Sequence, residues 1–202
     1  MCLASAPRAV NSPRRKLICG TVPTLEGGTM IIEEKFYLLV LDEVRSQPDL
    51  AQSLPVDIEA LALQCAGCSL DTALGRLHQR PPCEGGRGFE AVHSLAPPPA
   101  HLTTSSEELE RSLGTLLPAN YEKVCRDALA CLVWLDFKHA EERINLAKFL
   151  KDEWAFAHFL YGLLRGLDGE MGKAHFELYL AINRETYISA RQRVDRALSL
   201  VR

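Results

Sequence analysis

A repeat in the last third of the chain constrains the fold more than any other feature. Superposing residues 124–151 on residues 158–185 without a gap puts small on small and apolar on apolar. Ala128 falls on Gly162, Leu129 on Leu163, Ala140 on Ala174, Ile144 on Leu178, Leu146 on Leu180 and Ala147 on Ala181. The offset is 34 residues throughout (174 − 140, 181 − 147). A gapless recurrence of that length marks stacked helix pairs, in which each unit buries its apolar face only against its neighbours.

Local signals divide the region into helices. Ser105-x-x-Glu108 is a capping box for a helix running to about residue 116, before Pro118. Asn120 stands at an N-cap position, opening a helix over residues 121–134; a turn at Leu135-Asp136 leads into residues 137–150. The next pair covers residues 153–167 and 170–183, joined by Asp168-Gly169. A last helix over residues 187–200 carries Ala190, Val194, Ala197, Leu198 and Val201 on one stripe. Arg191, Arg193, Asp195 and Arg196 lie off it, as on a solvated cap.

These residues resemble the tetratricopeptide-repeat family. Its signature is small residues where paired helices approach: here Ala128 and Gly162, Ala140 and Ala174, Ala147 and Ala181. Gly169-Glu170-Met171-Gly172-Lys173-Ala174 is similar to the family's inter-helix turn. The chain departs from the pattern where Val124 and His158 replace an early aromatic, Cys131 and Arg165 a later one, and Asp152 and Thr186 a unit-ending proline. The resemblance implies a short solenoid of two degenerate repeats that binds protein partners on a concave face made by the first helix of each pair. That face would carry Glu122, Cys125, Leu129, Leu132, Val133, Phe156, Phe159, Leu163 and Leu167. It lacks the Lys and Asn that clamp a peptide carboxylate in chaperone-binding members, so an apolar helix or segment is the expected occupant. Two repeats fall short of the usual three. The groove is therefore filled from within, by the helix after Ser105 or by the N-terminal helices, or else by a protein partner or a second copy.

The N-terminal half reads as three further pieces. Residues 1–29 hold Arg8, Arg14, Arg15 and Lys16 with no acid before Glu26, and have no core-forming pattern. They read as disordered, and either as a basic organelle-transit leader or as translated upstream sequence with Met30 the true start. Glu26-Gly27-Gly28-Thr29-Met30 can be encoded by GAG-GGA-GGN-ACN-ATG, which contains a bacterial ribosome-binding sequence, and this second reading is preferred. Residues 30–80 form a small helical module. Ile31, Ile32, Phe36, Leu39, Val40 and Val44 recur at helical spacing, with Glu33, Glu34 and Lys35 off that face. Asp57 opens a second helix bearing Ile58, Leu61, Leu63 and Cys65. Residues 81–104, with Pro81-Pro82, Gly85-Gly86, Gly88 and Pro97-Pro98-Pro99, read as a mobile linker with one ordered piece around residues 89–95; a polyproline ligand is the less common meaning of the proline triplet.

Within that module, Ala66-Gly67-Cys68-Ser69-Leu70-Asp71-Thr72-Ala73 resembles the helix-turn-helix of bacterial repressors, which would place Ser69, Thr72, Arg76 and Arg80 towards DNA. Charge opposes that reading. Lys35, Arg45, Arg76 and Arg80 are outweighed by Glu33, Glu34, Asp42, Glu43, Asp49, Asp57, Glu59 and Asp71, and phosphate contacts supply most of the affinity of such modules. A plain helical corner is the preferred reading, with a DNA-binding regulator the alternative.

No catalytic constellation emerges. Cys65-x-x-Cys68, with His78 and Cys83, lacks the spacing of the common zinc fingers and the strand context of redox motifs. Register puts His139, His158 and His175 on different faces from Glu141, Glu142 and Glu177. No metal, cofactor or small-molecule substrate is implied. The net charge of −3 argues against a general nucleic-acid or membrane-surface binder, and no apolar run approaches a membrane span. Seven scattered cysteines without a secretory signal read as reduced thiols in a cytoplasmic protein. The expectation is an all-α, non-enzymatic adaptor.

Overall fold

The computed structural model describes residues 31–65, 92, 95–113, 120–151 and 153–202, and every regular element longer than one residue among them is helical. In chain order these are α1 (Ile32–Arg45), α2 (Pro48–Ser53), α3 (Ile58–Cys65), a 3-10 turn (Ala100–Leu102), α4 (Ser106–Leu113), α5 (Tyr121–Val133), α6 (Phe137–Leu150), α7 (Ala155–Leu167), α8 (Met171–Arg184) and α9 (Ile188–Ser199).

The sequence repeat is also a backbone repeat. α5 and α7 begin and end 34 residues apart (155 − 121, 167 − 133), and so do α6 and α8 (171 − 137, 184 − 150). The turns inside the two pairs match as well. Leu135 takes φ 55° and Gly169 takes φ 74°, again 34 residues apart (169 − 135). Only glycine enters that left-handed region without strain, so the second turn has the residue its geometry favours and the first does not. Asp136 secures the first turn, its side chain accepting a hydrogen bond from His139 N at 3.3 Å.

Packing follows chain order: α5 on α6, α6 on α7, α7 on α8, α8 on α9. Ala128, Ala140, Ala147, Ala174 and Ala181 are fully buried at these crossings. At Gly162 a Cβ would lie 2.6 Å from the Leu178 side chain, so the second pair closes only over glycine. The capping box before α4 forms as expected: Glu108 N donates to Ser105 Oγ at 3.3 Å and Ser105 N donates to Glu108 Oε2 at 3.4 Å. Asn120 differs from expectation, since its side chain makes no capping bond to α5.

The N-terminal helices form part of the same core as the repeat. α1 packs on both α5 and α7, with α2 and α3 packed on α1 in turn. Phe36, Tyr37, Val40, Leu41 and Val44 have no exposed surface. The Phe36 ring fills the space beside Gly166, where a Cβ would come within 2.5 Å of it. Tyr37 Oη donates to Val133 O at 2.6 Å. The buried face differs from the expected stripe, because Glu33 and Glu34 are buried while Ile31, Ile32 and Leu39 keep some exposure. A helix lodged between two others and covered by a third is enclosed around most of its circumference, and a one-sided stripe does not describe it.

The end of the expected linker is likewise docked. Trp134 Nε1 donates to Ala96 O at 2.8 Å. The Arg143 guanidinium donates to the carbonyls of His101 (3.0 Å), Thr104 (3.3 Å) and His139 (3.2 Å), and Leu102 is buried. Proline blocks regular structure by removing N–H donors, but its neighbours' carbonyls still accept from side chains, so composition reported irregularity and not detachment. At the other end, α9 buries Val194, Ala197 and Leu198. Its cations reach α1: Arg193 Nε lies 2.8 Å from Glu43 Oε2, without hydrogen-bond alignment, and Arg196 Nη1 lies 3.7 Å from Asp42 Oδ2. The leader at 1–29, Met30, the corner at 66–80, the linker at 81–91 and the helix end at 114–116 lie outside the described residues.

Candidate functional site

α5 and α7 carry the residues expected from the sequence to line a partner groove. Cys125, Leu129, Leu132, Val133, Phe159, Leu163 and Leu167 are buried there, and Phe156 is partly buried. α1 packs against both of these helices. The residues singled out as a partner-binding groove are thus brought together, but as core under α1. Their open remnant is a cleft of about 320 Å³, where Phe156, Tyr121, Glu122 and Arg126 meet Pro48, Asp49 and Leu50. Glu122 and Arg126 are 3.8 Å apart across one helical turn, so the cleft's own charges partly compensate each other.

A second cluster sits in the seam between the helix pairs. Its centre is His158 on α7, which is 2% exposed. His158 Nδ1 lies 2.6 Å from Glu177 Oε2 on α8, and Nε2 meets the Arg184 guanidinium. A guanidinium N–H can only donate, so Nε2 accepts and the ring proton sits on Nδ1, donated to Glu177. Lys148 Nζ on α6 approaches the same carboxylate at 3.3 Å. Burial pushes the Glu177 pKa up, but the His158 hydrogen bond and the Lys148 charge outweigh it and hold the carboxyl below its ordinary 4.5. Beside it, Tyr161 lies between Lys148 (4.8 Å to the ring) and Arg165 (4.6 Å) and donates to Glu141 at 2.9 Å. Arg165 also pairs with Glu141 and, at 3.2 Å, with Glu170.

This cluster corrects the separation of histidines and acids expected from register. His158 and Glu177 lie on different helices 19 residues apart, so the helical period within one element carries no information about their meeting. With both ring nitrogens engaged and almost no exposed surface, His158 fastens the helix pairs together. His139 pairs with its own N-cap Asp136 at 2.7 Å, and His175 is exposed. No group of three or more His, Cys, Asp or Glu poised for a metal occurs among the described residues. Cys65, Cys125 and Cys131 are buried, and burial pushes each thiol up to about 12, the wrong direction for a nucleophile.

The outer surface shows what sequence reasoning missed. Phe149 on α6, Phe176 and Tyr179 on α8, and Tyr187 and Ile188 at the start of α9 are each more than half exposed. Phe176 and Tyr179, three residues apart, share one helix face. An aromatic in an amphipathic helix reads as core in composition; only the placement of the helix exposes it. Of the helical corner, α3 alone is described, and it packs on α1. The residues of the DNA-binding alternative, Ser69, Thr72, Arg76 and Arg80, lie outside the described residues. No helix among the described residues is long and apolar enough to cross a membrane.

No known protein family, curated protein or solved structure matches this chain.

Proposed function

We propose that this chain is a non-enzymatic protein-binding adaptor, a tetratricopeptide-like array of two helix pairs closed on its concave side by its own α1. The 34-residue recurrence of both helices and of the left-handed residue between them carries the reading. Arrays of this kind offer fixed helical surfaces to other proteins. With α1 packed on α5 and α7, the large apolar side chains most exposed among the described residues are Phe149, Phe176, Tyr179, Tyr187 and Ile188, which we assign to an outer face. Exposed aromatics are costly in water and are the residues that dominate protein interfaces. The partner is a second protein or a second copy of the chain, and the reduced thiols fit a cytoplasmic setting.

Affinity capture with the full chain tests this, comparing the wild type with a Phe176→Asp, Tyr179→Asp variant. Both positions are exposed, so the variant should keep its circular dichroism and melting temperature while losing the captured partner or the dimer. Retention of the same partners at the same yield rules the outer face out. Phe159→Asp and Leu163→Asp serve as core controls and should lose solubility.

A further inference from the structure

Pro97, Pro98 and Pro99 do not space two independent bodies, because α1 on one side and α5–α8 on the other share one core. They form a surface strap whose conformation covalent chemistry dictates. A proline ring holds φ near about −65°, and a residue before proline is kept out of the helical region. Ala96, Pro97 and Pro98 each precede a proline, which disfavours the helical region at all three, and Pro99 has φ −52° and ψ 139°. Polyproline II is the conformation these constraints favour for the strap, and Pro99 adopts it. Both ends are fixed: Trp134 Nε1 donates to Ala96 O at 2.8 Å, and Leu102 N donates to Pro99 O at 2.8 Å. Between them the carbonyls of Pro97 and Pro98 accept no hydrogen bond from any described group. Ala96 and Pro97 are exposed, and Pro98 and Pro99 are half-buried.

We propose that this strap is a docking ligand for the aromatic-lined groove of a polyproline-reading protein domain. Such a groove needs proline rings on adjacent edges of a preformed helix and free carbonyls for its indole, phenol or amide donors. Pro97 and Pro98 supply both. The body of the protein has already ordered the segment, so binding loses little further conformational entropy. On its inner side the strap already makes the contact a foreign groove would make on its outer side, an indole N–H to a strap carbonyl. The strap shares no residue with the outer aromatic face, so the two are tested apart.

The test titrates isotope-labelled full chain with three purified probes, an SH3, a WW and an EVH1 domain. At least one should give saturable shifts centred on residues 95–100, and a Pro97→Ala, Pro98→Ala variant with unchanged melting temperature should bind about tenfold more weakly. The Phe176→Asp, Tyr179→Asp variant should bind like the wild type. No saturation with any probe at millimolar concentration overturns the proposal, as does binding indifferent to the proline substitutions.

Discussion

Three glycines of the second helix pair face different surroundings, and substitution separates them. At Gly162 an added Cβ meets Leu178, and at Gly166 it meets the Phe36 ring, both inside a filled core. Gly162→Ala and Gly166→Ala should each cost about 1–3 kcal/mol in urea denaturation. Gly172, in the first turn of α8, has nothing within 4 Å of its missing Cβ. Gly172→Ala should leave stability unchanged or raise it by up to about 1 kcal/mol. Glu177 predicts a pH dependence. Its carboxyl is held below the ordinary 4.5, so its contribution is complete above that value and is lost as pH falls through the lower, folded one. Denaturant midpoints measured downward from pH 5 should fall more steeply for the wild type than for Glu177→Gln. The buried thiols Cys65, Cys125 and Cys131, pushed up to about 12, should resist alkylation at pH 8 until the protein is unfolded, as peptide mapping would read. Little of this residue chemistry was legible in the chain. Small residues at 162 and 174 were, because they recur; the His158–Glu177 pair was not, because nothing in either helix announces the other.

At the scale of elements, the helices of the repeat were legible nearly to the residue. Their ends are set by local chemistry, such as the reciprocal Ser105–Glu108 cap and the Asp136 cap of α6. The role of α1 was not legible, since its Glu33 and Glu34 read as solvated and are buried. Tyr37→Phe should cost about 1 kcal/mol by stranding the Val133 carbonyl, measurable as a lower urea midpoint. The strap was misread for a different reason, since prolines and glycines declare only the absence of regular structure. Arg143→Met would strip the donor from the carbonyls of His101, Thr104 and His139. A loss on the order of 3 kcal/mol is expected, together with faster solvent exchange of the Trp134 indole proton as the strap loosens.

At the scale of the whole molecule, a single buried cluster runs from Phe36 to Leu198. Helix pairs stacked only on neighbours can unfold piecemeal, but α1 ties α5 to α7 and is itself reached from α9. Equilibrium unfolding should therefore be one transition by fluorescence and circular dichroism, with α1 amides exchanging at the same denaturant concentration as those of α5 and α7. Early release of α1 would show that it is a separate module after all. The sequence alone determined the helical class, the 34-residue period, most helix ends and the small residues at the crossings. All of these arise from contacts within one repeat unit, where spacing encodes geometry. The tertiary structure alone decided that α1 packs across α5 and α7, that His158 meets Glu177, and which aromatics face water. These depend on how separate helix faces meet, as between Tyr37 and Val133, 96 residues apart. No local period records such a meeting.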